Sequence, residues 1–384
     1  MKTIINELTI KNFKSLKEIK IEQCKQVNVF IGKPNTGKSN ILEAISLLSG
    51  NIDENKKFLE GSVYYEKIND LFNMQDNSNP ISVVSNVGTI QLSYFPSDKK
   101  FVWFADNNGI DSLKNTLKFS SSNDAINNFV KEKKFAQEET QKSDTYEMML
   151  ADKYRGKITI REDSYSFCLI NREGVIVNSD LIRFSPVRSY HYKRKAIHGN
   201  PESGYLIPPH GDNLLNVIRH SDKLQEVAGD FFKQYNFDLV LVQREEDANN
   251  EINIQRKLGA VHVQLPYTLA ADTFQRMIFH LAAIYSNKDA VILFEEPEAH
   301  TYAPYQSFLV DEIIADEQNQ YFITTHSNDI FDSLLREATE KVAVFIVGYE
   351  DSQTKVRQLS EEEISNYLTG YASIFQNLDG YSVL

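Results

Sequence analysis

Residues 26 to 40 read QVNVFIGKPNTGKSN and contain the spacing G-x-x-x-x-G-K-S from Gly32 to Ser39. The β-branched, apolar run 26–31 precedes it. The segment 38–48 follows, with Ile41, Leu42, Ile45, Leu47 and Leu48 at helical period. A strand, a glycine-bounded loop and a helix start in this order commit the chain to an α/β sheet with a phosphate-binding turn. Backbone N–H groups around Pro34, Asn35, Thr36 and Gly37 can face phosphate oxygens, aided by the positive end of the helix. Lys38 would reach the β- and γ-phosphates and project into solvent when the loop is empty, and the Ser39 hydroxyl would ligate Mg²⁺. Gly32 and Asn40 bound the motif and are counted with it. A glycine-rich turn without a ligand is the alternative, and the strand-to-helix context weighs against it.

A loop of this kind needs a carboxylate from a second strand. The stretch VILFEEPEAH supplies two: the apolar run Val291 to Phe294 leads directly into Glu295 and Glu296. A buried strand ending in acids places them at the carboxyl edge of the sheet, where α/β folds bind ligands. One acid can hold Mg²⁺ through water, and the next can deprotonate the attacking water. A third apolar run, YFITTHSNDI, ends at His326, which could donate a hydrogen bond to a γ-phosphate or to the water.

Elsewhere, strand patterns at 4–10 and 17–22 flank a turn, NFKS. Strand patterns recur over 157–184, and from residue 211 helices alternate with strands. Residues 51–155 are polar and rich in Asn and Lys, and read as a helical or irregular insertion, a mobile lid or partner-docking lobe between the two parts of the head, 1–50 and 156–384. The net charge of −12 argues against a protein wrapped in nucleic acid. The basic, aromatic segment RSYHYKRK, Arg188 to Lys195, leaves local nucleic-acid contact open but not favoured. Two cysteines make no disulfide framework, no apolar run reaches membrane length, and the N-terminus lacks a signal-peptide pattern, so a cytoplasmic protein is expected.

The ordered set INELTIKNFKSL, GKPNTGKSN, TLAADTFQRM, VILFEEPEAH and FITTHSNDI resembles the ABC-type ATPase heads of the SMC, RecF and OLD proteins. It is most similar to the OLD-like ATPases of bacterial anti-phage defence. The resemblance covers roughly residues 1–50 and 183–350. It implies an α/β ABC-type head with an N-terminal β-hairpin lobe and a mostly parallel central sheet, binding and slowly hydrolysing ATP with Mg²⁺. It implies that Ser39 and Glu295 hold the metal, that Glu296 is the catalytic base and that His326 is the switch. It places Lys14 near the phosphates, and Asp272 and Thr273 where such heads close over a partner's nucleotide. Homodimers or higher oligomers, and a separately encoded effector nuclease or toxin, are the implied partners. A RecF-like DNA-repair clamp and a scaffold with little turnover are the alternatives.

Three departures stand out. Glu295 occupies a position usually held by Asp, Tyr302 replaces a usual His, and Asp272 and Thr273 replace a Ser and a Gly. Asp272 can also be read as a helix N-cap boxed with Gln275. The stretch after His326 is too short for the nuclease domain that OLD proteins carry, so no nuclease activity is expected.

Overall fold

The N-terminal pattern forms a hairpin in which β1 (Leu8–Phe13) pairs antiparallel with β2 (Leu16–Ile21). The computed structural model describes residues 3–49, 57–96, 99–106, 165–180, 185–195, 203–243 and 250–370, together with Ile374 and Leu378. The run Val27–Ile31 becomes β3, and all five of its residues are buried.

The other edge of β1 is taken by β4 (Ile81–Ser85), and β5 (Gly88–Phe95), β6 (Lys100–Asp106), β7 (Tyr165–Ile170) and β8 (Ile176–Asp180) follow. The seven strands run β2-β1-β4-β5-β6-β7-β8 and every pairing is antiparallel. Residues 81–106 were expected inside a helical or irregular insertion, and this part of the expectation is corrected. Their apolar residues alternate: Ile81 and Val83, Ile90 and Leu92, and Phe101 and Trp103 are buried on one side of the sheet. The free edge of β1 carries backbone donors and acceptors that this segment satisfies. Residues 107–155 of the insertion, and the strand pattern expected over 157–164, lie outside the described residues.

The central sheet has six strands. Val187–Tyr190 is β9, Val291–Glu295 is β13, Gln320–Thr324 is β14, Val342–Glu350 is β15 and Gln353–Gln358 is β16. The order is β16-β15-β3-β14-β13-β9, parallel throughout except for the β15–β16 hairpin. A separate three-stranded antiparallel sheet comprises β10 (Asp238–Gln243), β11 (Asn250–Leu258) and β12 (Val261–Pro266).

Alternation along the central strands divides the core into two layers. Val29, Ile292, Phe294, Ile323 and Val344 face helices α2 (Leu214–Arg219), α3 (Asp222–Lys233), α4 (Asp272–Ser286), α5 (Ala303–Ala315), α6 (Asn328–Ala338) and α7 (Glu361–Leu368). Phe30, Leu293, Phe322 and Phe345 face α1 (Lys38–Ser46) and the seven-stranded sheet. Phe30 stacks on Phe345 with ring centroids 5.1 Å apart. The apolar runs Val291–Phe294 in β13 and Tyr321–Ile323 in β14 follow from this burial on both faces.

Gln320 ties the N-terminal segment to the sheet. Its Oε1 accepts from the N–H of Ile5 at 2.7 Å, and its Nε2 donates to the carbonyls of Ile5 and Lys25, each at 2.8 Å. The residue is fully buried. Gln320→Leu strands these three backbone groups and is expected to cost about 2–4 kcal/mol of unfolding free energy, measured by urea denaturation.

Candidate functional site

The loop between β3 and α1 is bent by two left-handed residues, Asn35 at φ 61° and Gly37 at φ 95°. Lys33, Pro34 and Asn35 are exposed, whereas Lys38, the first residue of α1, is buried. Its ammonium donates to the carbonyls of Gly32 at 3.0 Å and Lys33 at 2.8 Å. The expectation of a solvent-facing Lys38 is therefore corrected: a desolvated cation takes the nearest oxygens, which are those of its own loop. Burial lowers its pKa, and the negative charge of Glu296 acts against that. Phosphate oxygens can replace the two carbonyls as stronger, charged acceptors.

Strand β13 ends at Glu295, and the chain turns at Glu296, a non-glycine residue at φ 41°. The turn is held by the Glu296 N–H, which donates to the Thr324 carbonyl at 3.0 Å across the neighbouring strand end. Two residues beyond β14, His326 Nε2 stands 3.5 Å from Glu296 Oε1. Burial and the charge of Lys38 both lower the His326 pKa, while Glu296 raises it. Lys38, Glu296 and His326 thus come from three separate chain segments and share one electrostatic site.

Glu298 builds the turn that presents His326. Its Oε1 accepts from the Thr325 hydroxyl at 2.8 Å and from the His326 N–H at 2.7 Å. Ser327 then caps α6 through the Ile330 N–H. The two glutamates of the EPE run, Glu296 and Glu298, look alike in sequence as parts of a polar turn. Only the fold distinguishes this structural carboxylate.

Glu295 meets different neighbours. Its Oε2 lies 3.6 Å from His191 Nδ1. Tyr190 pairs with Phe294 in the parallel β9–β13 ladder, so the residue after Tyr190 falls beside Glu295. His191 is held by Pro209, whose carbonyl accepts its N–H at 2.9 Å, by His210, which bonds to its carbonyl at 2.8 Å, and by the Ser189 hydroxyl at 2.9 Å from Nε2. Burial pushes its pKa down to about 4, and His210 adds to this, so the imidazole facing Glu295 is neutral at pH 7. Glu43 in α1 also senses the Glu295 charge, but it pairs with Lys14. Glu295 therefore faces no cationic partner among the described residues. The Glu295 carboxylate and the hydroxyl of Ser39, the second residue of α1, are hard oxygen donors of the kind that suits Mg²⁺.

Lys14 is committed to Glu43 in this structure, in a part-buried ion pair at the hairpin turn where Lys14 adopts φ 46°. Asn40 donates to the Ser15 hydroxyl at 2.7 Å. Asp272 binds Arg276 at 2.6 Å within α4, and Tyr192 reaches it at 3.3 Å. It is not the N-cap: Ala271 occupies that position, and Gln275 turns inward to the Ala270 carbonyl at 2.8 Å. Thr273 donates to the His300 carbonyl at 2.9 Å. Asp272 and Thr273 thus bond to α4, to the segment just after β9 and to the loop after β13.

The segment Arg188–Lys195, whose basic and aromatic residues leave local nucleic-acid contact open but not favoured, uses several of them for contacts within the fold. Arg188 stacks 3.5 Å over the Tyr205 ring, Tyr190 is buried, Tyr192 lies under Arg276 at 4.6 Å, and Arg194 donates to the Thr268 carbonyl at 3.0 Å. The Tyr190 ring is buried and the Tyr192 ring half-buried, so both have packing roles within the fold.

The family model for the AAA ATPase domain (AAA_15) matches residues 1–179 and 210–331. The chain belongs to this family. As an AAA ATPase-domain protein it binds and hydrolyses ATP. A protein of Helicobacter pylori (strain ATCC 700392 / 26695) named "ATP/GTP phosphatase" is 21% identical over 405 residues, spanning 97% of this chain and 100% of that protein. The DNA replication and repair protein RecF of Thermoanaerobacter sp. (strain X514) is 49% identical over 45 residues, 12% of either chain. Among solved structures, an Smc head domain with an extended coiled coil, bound to the C-terminal domain of ScpA and derived from Pyrococcus furiosus, aligns with 96% of this chain and 99% of its own. Its TM-score is 0.47 at 14% identity. The SMC head domain of Thermotoga maritima aligns with 93% and 99% at a TM-score of 0.37 and 11% identity. No helix among the described residues is long and apolar enough to cross a membrane.

Proposed function

We propose that the chain hydrolyses ATP with Mg²⁺ at the carboxyl edge of the central sheet, and that this turnover regulates a separate effector protein. The observation that carries the hydrolytic reading is the convergence of Lys38, Glu296 and His326, with Glu296 Oε1 and His326 Nε2 3.5 Å apart. Glu296 accepts a proton from water as the water oxygen bonds to the γ-phosphorus. The bond to the β,γ-bridging oxygen breaks, and ADP leaves with its electrons. Lys38 moves from the loop carbonyls to the phosphates. His326 donates to the γ-phosphate or orients the water. Ser39 and Glu295 would hold Mg²⁺, which supplies charge neutralisation at the β- and γ-oxygens.

The resemblance to OLD-like heads supports the finer part of the reading. ATP clamps two copies together, and release signals a separately encoded nuclease or toxin in anti-phage defence. The net charge of −12 agrees with a protein that does not seek out polyanions by itself. The purified chain is expected to release phosphate from ATP slowly. It is expected to leave plasmid, single-stranded DNA and tRNA uncut with Mg²⁺ or Mn²⁺, as followed on gels beside the phosphate assay. Strong stimulation of turnover by DNA would favour a RecF-like clamp. Cleavage that survives purification would overturn the regulatory reading.

A further inference from the structure

The two glycines that define the loop motif lie against the same distant element. A Cβ on Gly32 would stand 2.2 Å from the carbonyl oxygen of Val347, and one on Gly37 would stand 2.1 Å from Thr354 Oγ1. Val347 is in β15 and Thr354 in β16, so the C-terminal hairpin is the bed on which the loop rests.

Thr354 is fully buried and sits at a junction of hydrogen bonds. Its Oγ1 is 2.8 Å from the Thr36 carbonyl and 2.6 Å from Ser15 Oγ, and Asn40 Nδ2 is 2.7 Å from that serine oxygen. The proton order has one solution. A carbonyl can only accept, so the Thr354 hydroxyl donates to Thr36. Ser15 must then donate to Thr354, and its own oxygen accepts from Asn40. The chain Asn40, Ser15, Thr354, Thr36 joins the start of α1, the N-terminal hairpin turn, β16 and the phosphate loop. A backbone bond from the Thr354 N–H to the Ser15 carbonyl at 2.9 Å locks the two hairpins together.

We infer that Thr354 is a positioning residue for nucleotide binding: its hydroxyl fixes the Thr36–Gly37 peptide so that the Gly37 N–H is presented to phosphate. A trans peptide holds its C=O and N–H on opposite sides. Anchoring the Thr36 oxygen on the hairpin side turns the Gly37 N–H away from the hairpin. The loop is then shaped before nucleotide arrives, and binding does not have to order it. Thr354 itself does not touch the phosphates. This inference rests on the reading of residues 32–39 as the phosphate loop.

The test compares Thr354→Val, which keeps the shape and removes the hydroxyl, with Thr354→Ser, which keeps the hydroxyl. Affinity for ATP is measured by calorimetry in the full chain, with phosphate-release kinetics alongside and melting temperature as a control on folding. Thr354→Val is expected to weaken ATP about tenfold and raise KM by a similar factor with kcat much less affected, and Thr354→Ser to stay within about threefold of the parent. Ser15→Ala, which removes only the donor to Thr354, is expected to give a smaller loss. It supplies the measurement if Thr354→Val does not fold. Unchanged affinity in Thr354→Val, or equal losses in the Val and Ser variants, would overturn the inference, as would unchanged affinity in Ser15→Ala where that variant is the measurement. Lys38→Ala runs in parallel. If it binds ATP like the parent, the loop reading fails and this inference goes with it. If it does not bind while Thr354→Val binds normally, the inference alone fails.

Discussion

Lys38→Ala abolishes ATP binding at millimolar nucleotide while leaving the circular dichroism spectrum unchanged. The lysine is the side-chain cation buried at the loop, and its ammonium bonds to two loop carbonyls. Exchanging those neutral acceptors for phosphate oxygens pairs the cation with full negative charges in place of carbonyl dipoles. Alanine removes the cation and leaves the negative charge of Glu296 uncompensated on the side that a triphosphate approaches. The expected loss is at least 100-fold, in line with roughly 3 kcal/mol or more for a partly buried charged partner. The fold survives because the affected carbonyls belong to a loop whose tip, Lys33 to Asn35, is exposed, and water can reach it. Calorimetric titration with ATP measures the affinity. An unchanged dissociation constant would remove the phosphate loop from the mechanism.

The difference between what could and could not be read from the sequence follows from distance along the chain. The loop spacing, the apolar runs ahead of Glu295 and Thr324, and the helical period after Lys38 are local patterns, and each forms the element it predicts. A strand end fixes where the next residue goes, so the meeting of Glu296 and His326 was legible from two short segments. Residues 81–106 were misread because Asn and Lys around them diluted an alternation that is clear strand by strand. Their strand character is realised by pairing with β1, some 70 residues away. His191, Glu298 and Thr354 carry no motif of their own. His191 acquires its place from the β9–β13 register, Glu298 from the turn into α6, and Thr354 from a contact spanning 318 residues to Thr36. Lys14 shows the same limit from the other side. The resemblance places it near the phosphates, and its bond to a buried glutamate in α1 cannot be read from the turn NFKS alone.

Glu296→Gln separates nucleotide binding from hydrolysis: ATP affinity stays within about threefold of the parent, and turnover falls at least 100-fold, consistent with the range for loss of a general base. The amide preserves the volume of the side chain, and the backbone bond from residue 296 to the Thr324 carbonyl, which shapes the φ 41° turn, does not involve the side chain. What is lost is the carboxylate that takes the proton from water. Removing its negative charge also relieves repulsion toward a triphosphate, so the ATP-held state lengthens rather than shortens. The two acids are told apart by the companion variant. Glu295→Gln alters the carboxylate beside His191 and Ser39's expected metal, so it should weaken the dependence of binding on Mg²⁺ before it reveals a defect in the proton-transfer step. Single-turnover phosphate release, with bound nucleotide identified by chromatography, reads both quantities. If Glu295→Gln instead traps ATP while Glu296→Gln turns over normally, the roles of the two residues are exchanged. The left-handed turn at Glu296 would then serve only to aim the chain from β13 toward Glu298 and the His326 turn.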